Sequence, residues 1–199
     1  MMVRGNRPYR QRGRSDRAGF TLTELLIVIV ILGILTRLAY PALNALRAHS
    51  ESAMIGLGTT LQAAQREAVA RGHDVRVIFD GTSNRLQLHF DTNSNGTVDG
   101  TERVRGVALD RTVVFGRGAA PARAFGAANI NLTVGGSTLV FHRNGSASAS
   151  GGLYLTTTRG ASGGGDAKWA KDARAIEIVR ATGRVEWWRY NGVAWMRGF

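Results

Sequence analysis

The run from Phe20 to Thr36 constrains this chain more than any other stretch. Apart from its threonines and Gly33 it is apolar throughout, with one charge, Glu24. As an α-helix rising ~1.5 Å per residue it is about 25 Å long, close to the hydrocarbon thickness of a bilayer. A carboxylate near the start of such a helix costs a few kcal/mol or more in lipid unless it is paired, which marks Glu24 as functional. Upstream, residues 1–19 hold six Arg and one Asp, with Gly5, Pro8 and Gly13 and no apolar run. That composition predicts a disordered leader, and its arginines hold that end in the cytoplasm by the positive-inside rule. A secretory signal places its cleavage site after the apolar core; here the natural break, Gly19 before Phe20, comes first.

Gly19-Phe20-Thr21-Leu22-Thr23-Glu24-Leu25-Leu26 resembles the processing site of type IV prepilins and type II secretion pseudopilins. The resemblance implies that a prepilin peptidase cuts after Gly19 and methylates the new amine of Phe20. It also implies that Glu24 pairs with the Phe20 amine of a neighbouring subunit as a filament assembles. Two opposite charges desolvated in lipid need each other, because losing one leaves the other unpaired.

With 199 residues the chain holds one ordinary domain and an appendage. It has no cysteine, which excludes disulfides and thiolate metal sites. Its formal net charge is +12, but residues 1–19 carry five of those charges, so about +7 remains after cleavage. A nucleic-acid-binding arm is the weaker reading of the leader, since it abuts the apolar helix directly.

Four segments follow: a cleaved leader over 1–19, a transmembrane helix over 20–40, an amphipathic helix over 41–72 and an extracytoplasmic β-rich domain over 73–199. Arg37 stands at the far end of the apolar run, where it can snorkel to the interface. Pro41 lies inside the helical pattern and predicts a kink or a melted turn; it also matches the prepilin pattern. Leu43, Leu46, Met54, Leu57, Leu61, Ala64 and Ala68 then recur mostly at three- and four-residue steps, the period of a helix laid on a soluble core. Gly56 and Gly58 weaken that helix by roughly 1 kcal/mol each and open it to close packing. Arg71-Gly72 is its stop.

After Gly72 the period falls to two. Strands are expected over 75–79, 85–90, 103–109, 112–115, 131–134, 138–142, 153–157, 175–180 and 184–190. The Gly-, Ala- and Ser-rich segments 116–128 and 160–171 read as flexible connections. They lack the strand-to-helix setting of a phosphate-binding loop. One long helix with many short strands predicts an α+β fold: an antiparallel sheet packed on the helix. The tail 191–199 is free to cover a sheet edge or meet a neighbouring subunit.

Gln65-Arg66-Glu67-Ala68-Val69-Ala70-Arg71-Gly72, Val140-Phe141-His142-Arg143-Asn144-Gly145-Ser146 and the turn at Thr182-Gly183 are similar to GspH/FimT-type minor pseudopilins. The likeness covers nearly all of 19–190. It implies a pilin-like β-domain of two sheets on the exposed helix half, and a place at a filament tip or in filament initiation beside other minor subunits. It implies a bacterial inner-membrane protein whose domain is extracytoplasmic. DNA-binding relatives resemble one another in a late Gly-Arg-x-Arg turn, where this chain has Gly183-Arg184-Val185-Glu186. Arg184 and Arg189 with the nearby Trp and Tyr residues still offer a basic aromatic surface for single strands, although such aromatics are as readily half-buried sheet residues. A DNA-binding minor pilin is therefore one alternative.

Asp91-Thr92-Asn93-Ser94-Asn95-Gly96-Thr97-Val98-Asp99-Gly100-Thr101-Glu102 matches the oxygen-ligand spacing of a calcium loop. Asp91, Asn93, Asn95, Asp99 and Glu102 offer side-chain oxygens, Thr97 its carbonyl, and Gly96 the sharp turn. Such hard ligands suit Ca²⁺ better than Mg²⁺. The competing reading is a polar hairpin loop, since Asn, Asp and Gly favour turns, and the strand expected before it speaks against a helix–loop–helix setting. A membrane-anchored calcium-binding β-domain with no filament role is the second alternative. His49, His73, His89 and His142 are scattered, and there is neither a nucleophile elbow nor a zinc-protease signature. No enzyme is expected.

Overall fold

A computed structural model describes the backbone of residues 20–132 and 136–198, and side chains there except at 38–45 and Gly163. The leader with Gly19, the expected strand residues Thr133 and Val134, and the side chains of Pro41 and Leu43 lie outside the described residues. The chain divides into two units, Met1–Pro41 and Ala42–Phe199.

In the first unit, helix α1 (Leu22–Arg71) begins under a local cap. Thr21 Oγ1 accepts the Glu24 N–H at 3.2 Å, and the Thr21 carbonyl accepts the Leu25 N–H at 3.2 Å. This is a Thr-x-x-Glu start, in which the cap hydroxyl takes one of the unpaired first-turn donors. Every residue from Phe20 to Arg37 is exposed, with Phe20 at 79% and Leu35 still at 55%. Among the described residues no helix is long and apolar enough to cross a membrane. The described apolar part ends at Arg37, so the expected span over 20–40 is not met by described residues alone. Helix α1 runs through Pro41 without interruption, so the chain does not melt into a turn there.

In the second unit the rest of α1 buries one stripe: Ser50, Met54, Leu57, Leu61, Ala64 and Ala68. Their steps of three and four place them on one face. Gly72, at φ +69°, ends the helix and donates its N–H to the Ala68 carbonyl at 3.0 Å. Two antiparallel sheets form the domain. The first has the order β3 (Val104–Ala108), β2 (Arg85–Asp91), β1 (Asp74–Asp80), β6 (Thr138–Phe141). The second has the order β10 (Trp195–Arg197), β9 (Arg184–Tyr190), β8 (Arg174–Val179), β7 (Gly151–Thr157), β4 (Val113–Phe115), with β5 (Ile130–Leu132) also on β7. Alternation decides which side chains go inward: Val75, Val77 and Phe79 of β1 are buried while Arg76 and Ile78 between them are half-exposed. One core joins the α1 stripe to both sheets, through Leu86, Leu88, Leu139 and Phe141 of the first and Leu153, Leu155, Ile176 and Ile178 of the second.

The expected strands are present with ends shifted by a residue or two, except that the end of the strand expected over 131–134 lies outside the described residues. The tail supplies β10, which covers the β9 edge with Trp195 opposite Tyr190. The two loops are more structured than flexible connections. Segment 158–172 folds into α2 (Thr158–Ala161) and two 3-10 turns, Ser162–Gly164 and Ala167–Asp172. Segment 116–128 is pinned by Tyr154, whose buried hydroxyl donates to the Gly126 carbonyl and accepts the Arg123 N–H, both at 2.7 Å. Gly58 packs against Trp187 of β9, at a point where any Cβ would collide with the indole; Gly56 faces open space.

Candidate functional site

Glu24 is exposed, and among the described residues its carboxylate has no cationic partner. Its backbone is held by the Thr21 cap, so the carboxylate projects from a fixed first turn. With the surrounding belt of exposed Leu, Ile and Val, this end of α1 is an apolar surface carrying one unmet negative charge.

A second constellation lies where α1 meets the sheets. Gln65 Nε2 donates to the Gly145 carbonyl at 2.8 Å and to the Thr182 carbonyl at 2.6 Å. Gly145 (φ +87°) lies in the β6–β7 connection and Gly183 (φ +61°) in the β8–β9 turn. A Cβ on Gly183 would strike both the Gly145 carbonyl and the Gln65 amide, so only glycine lets the two turns close on that side chain. The three separate segments that carried the resemblance thus meet at one amide group. Nothing in spacing alone picked out Gln65; its signal is a polar residue beside the buried Leu61 and Ala64.

The loop 91–102 closes on itself. Asp91 is buried and accepts the N–H groups of Asn95 at 3.1 Å and Gly96 at 2.8 Å. Glu102 accepts from the Thr92 N–H at 3.0 Å and the Asp99 N–H at 3.3 Å. Asn93 and Asn95 donate their side-chain amides to Asp99 Oδ2 at 2.6 and 2.7 Å, and these bonds lower the Asp99 pKa. Asn95 Oδ1 accepts the Thr97 N–H at 2.8 Å, and Gly96 turns the chain at φ +73°. All six expected ligand residues share one small loop, yet its own donors satisfy the three carboxylates. Among the described residues no group of three His, Cys, Asp or Glu side chains is gathered to hold a metal. The histidines are likewise separate: His142 bonds Asp74 at 2.8 Å, and His49 meets Thr112 at 3.1 Å.

The residues expected to form a basic aromatic surface around β9 divide between the two faces of the sheet. Trp188 and Tyr190 share the Arg184 face with Arg197 and Trp195 of β10, while Trp187 and Arg189 lie on the other. Arg184 and Arg189 are five positions apart on one strand, an odd separation that sends them to opposite faces. Arg184 and Arg197 both pair with Glu186, the latter at 3.0 Å. Trp187 turns inward onto Gly58, while Trp188 turns outward beneath the Arg123 guanidinium at 3.6 Å. Arg123 is itself tied to Glu177 at 2.8 Å. Arg189 sits on the α1 side of the sheet beside Arg47 and Glu51.

Two family descriptions match the sequence: the prokaryotic N-terminal methylation motif over residues 14–36, and type II transport protein GspH over residues 56–181. The pilin-like protein PilA1 of Thermus thermophilus is 39% identical over 85 residues, which is 42% of this chain and 54% of that protein. The chain thus spans about half the length of the curated relative it matches. Among solved structures, the minor pseudopilin EpsH of the Vibrio cholerae type 2 secretion system aligns with a TM-score of 0.46 at 12% identity, covering 70% of this chain and 95% of that one. The type IV minor pilin FimU of Pseudomonas aeruginosa aligns with a TM-score of 0.46 at 15% identity, covering 75% and 94%.

Proposed function

Because the chain belongs to the GspH family of type II transport proteins, we propose that it is a minor pilin or pseudopilin subunit, built into a filament through its N-terminal helix and acting at the tip or in initiation. The observation that carries this reading is the belt of exposed apolar side chains from Phe20 to Leu35 around Glu24, which has no cationic partner among the described residues. Such a surface is costly in water and needs lipid before assembly and neighbouring helices after it. A prepilin peptidase cuts after Gly19 and methylates Phe20. The Phe20 amine then pairs with Glu24 of an adjacent subunit, each charge removing the penalty of burying the other. Residues 20–40 span the inner membrane, Pro41 bends the exit, and the β-domain lies outside the cytoplasm. The role is one of assembly, and no catalytic step is assigned.

Intact mass after co-expression with a prepilin peptidase tests the reading. Loss of residues 1–19 with one added methyl is expected, and a Gly19→Ala variant should remain whole. An uncut chain under conditions that process a known prepilin would overturn it.

The loop 91–102 supports a second, independent reading, that it binds Ca²⁺ through Asp91, Asn93, Asn95, Asp99, Glu102 and the Thr97 carbonyl. Its support is the Gly96 turn with Asp91 and Glu102 directed into the loop. The ion would pin the loop and would displace the amide bonds now made to Asp99. Millimolar Ca²⁺ is expected to raise the melting temperature of the full chain in nonionic micelles, and chelator to reverse it. An identical melt with Ca²⁺ and with chelator leaves a self-closed hairpin loop.

A further inference from the structure

On one flank of α1, its residues Arg47 to Glu51 face the 3-10 segment Ala167–Asp172 and the end of β9 across a pocket of about 550 Å³. Its charged lining is Arg47, Glu51, Lys171, Arg174 and Arg189. Two carboxylates serve this cluster, and both are already engaged. Glu51 accepts from Arg174 Nε at 2.6 Å, and Arg174, only 4% exposed, spends Nη1 on the carbonyls of Lys171 and Ala173 at 2.9 and 3.0 Å. Asp172, fully buried behind the pocket, accepts from Arg159 Nε at 2.8 Å and from the Thr157 hydroxyl at 2.7 Å. Arg47 comes no nearer to Asp172 than 3.5 Å, and its buried Nε has no hydrogen-bond partner. Lys171 and Arg189 are exposed and, among the described residues, have no carboxylate partner.

Four cations therefore line one partly enclosed site with a single carboxylate, Glu51, while Asp172 behind it is paired with Arg159. Like charges a few Å apart repel more strongly there than in open water. Gly192 adds a positional detail. At φ +102° it lies under the Lys171 stem, and a Cβ there would push that side chain away. The surplus is thus held in a pocket and not spread over a flat face. Guanidinium groups present paired donors at the spacing of phosphate oxygens, with lysine as an added point charge.

We propose that this pocket binds a phosphate group. Arg47 follows the end of the apolar stretch at Arg37 by ten residues, so the source favoured by position is the headgroup of an anionic glycerophospholipid in the leaflet from which α1 emerges. That choice of source rests on the membrane reading above; the pocket's affinity for phosphate does not.

The test uses the full chain in nonionic micelles, with inorganic phosphate titrated at ionic strength matched by NaCl. The melting temperature is expected to rise and saturate, since a ligand that binds only the folded state stabilises it. The double variant Lys171→Gln with Arg189→Gln removes two exposed cations and should weaken the apparent affinity about tenfold or more, as each lost charge-assisted bond carries about a factor of ten. Arg105→Gln with Arg111→Gln removes the same charge elsewhere and should leave the response intact. In nanodiscs, anionic lipid should stabilise the wild type over zwitterionic lipid and fail to stabilise the Lys171/Arg189 variant. A phosphate response without lipid discrimination upholds the pocket and overturns the lipid as its source. No phosphate response, or an equal one in the Lys171/Arg189 variant, overturns the pocket. Failure of Gly19 processing would bear on the filament reading and leave the phosphate measurement as it stands.

Discussion

Asp172→Ala should be among the most destabilising single changes in the β-domain. The carboxylate is fully buried and accepts from Arg159 Nε at 2.8 Å, Arg159 Nη2 at 3.3 Å and the Thr157 hydroxyl at 2.7 Å. Removing one partner of a buried ion pair costs about 3–5 kcal/mol, because the other charge is left uncompensated. The Arg159 side chain keeps 16% exposure and some access to water, so the lower part of that range applies. Arg47, with its side chain 43% exposed at 3.5 Å, is assigned no share. A loss of about 3 kcal/mol in a domain of this size lowers the melting temperature by about 6–12 °C. Asp172→Asn keeps the volume and an acceptor for Thr157, and should cost about half as much.

The pH dependence follows with a definite sign. Burial by itself raises the Asp172 pKa, but the bonds from Arg159 and Thr157 and the charges of Arg159 and Arg47 outweigh it, and the net shift is downward. A carboxylate with a depressed folded pKa contributes stability above its ordinary value near 4 and loses it as pH falls through the folded value. The gap between wild type and Asp172→Asn should therefore hold at pH 7 and narrow steadily below about pH 4. Guanidinium melts followed by tryptophan fluorescence report on the domain alone, because every tryptophan lies in it. A gap at pH 7 below about 0.5 kcal/mol, or one that persists unchanged into acid, would refute the reasoning, since surface changes have effects of that size.

The two helix glycines should respond differently. Gly56→Ala meets nothing within 4 Å and should stabilise by about 1 kcal/mol through helix propensity. Gly58→Ala gains the same term but collides with the Trp187 indole, so overpacking of about 1–3 kcal/mol should make it neutral to destabilising; equal stabilisation in both melts would show the contact is soft. Tyr154→Phe strands the Arg123 N–H and the Gly126 carbonyl, and should cost about 1–3 kcal/mol and speed proteolysis within 116–128. Gln65→Ala should cost about 1–2 kcal/mol in the same denaturation assay, with hydrogen exchange rising at both the 145 and 182 turns; a rise at one turn alone would mean the two bonds are not shared.

What could be read from the chain followed its periodicities. The α1 stripe through Leu57, Leu61, Ala64 and Ala68 and the alternation of Val75, Val77 and Phe79 state directly which faces are buried, because helix and strand repeat differently. Segment 158–172 has no such period. Its turns depend on the Thr157 and Asp166 caps and on the pairing of Arg159 with Asp172, and glycine-rich composition hides all three. The separation of Arg184 from Arg189 was legible, since five positions along a strand is an odd number, and composition distracted from it. The basic pocket was not, because its cations come from α1, the 3-10 segment, β8 and β9, which only the fold brings together. The spacing of the expected oxygen ligands in loop 91–102 does not reveal that the loop's own N–H and amide donors already satisfy its carboxylates.

The Gln65 amide has a mechanical consequence. One of its protons goes to the connection that carries the chain from the first sheet into the second, and the other to a hairpin wholly inside the second. Tension drawn along α1 therefore reaches both sheets through this side chain as well as through the core they share. With the helix tied to both sheets at one point and through one core, the domain should yield in one step under load and not unzip strand by strand.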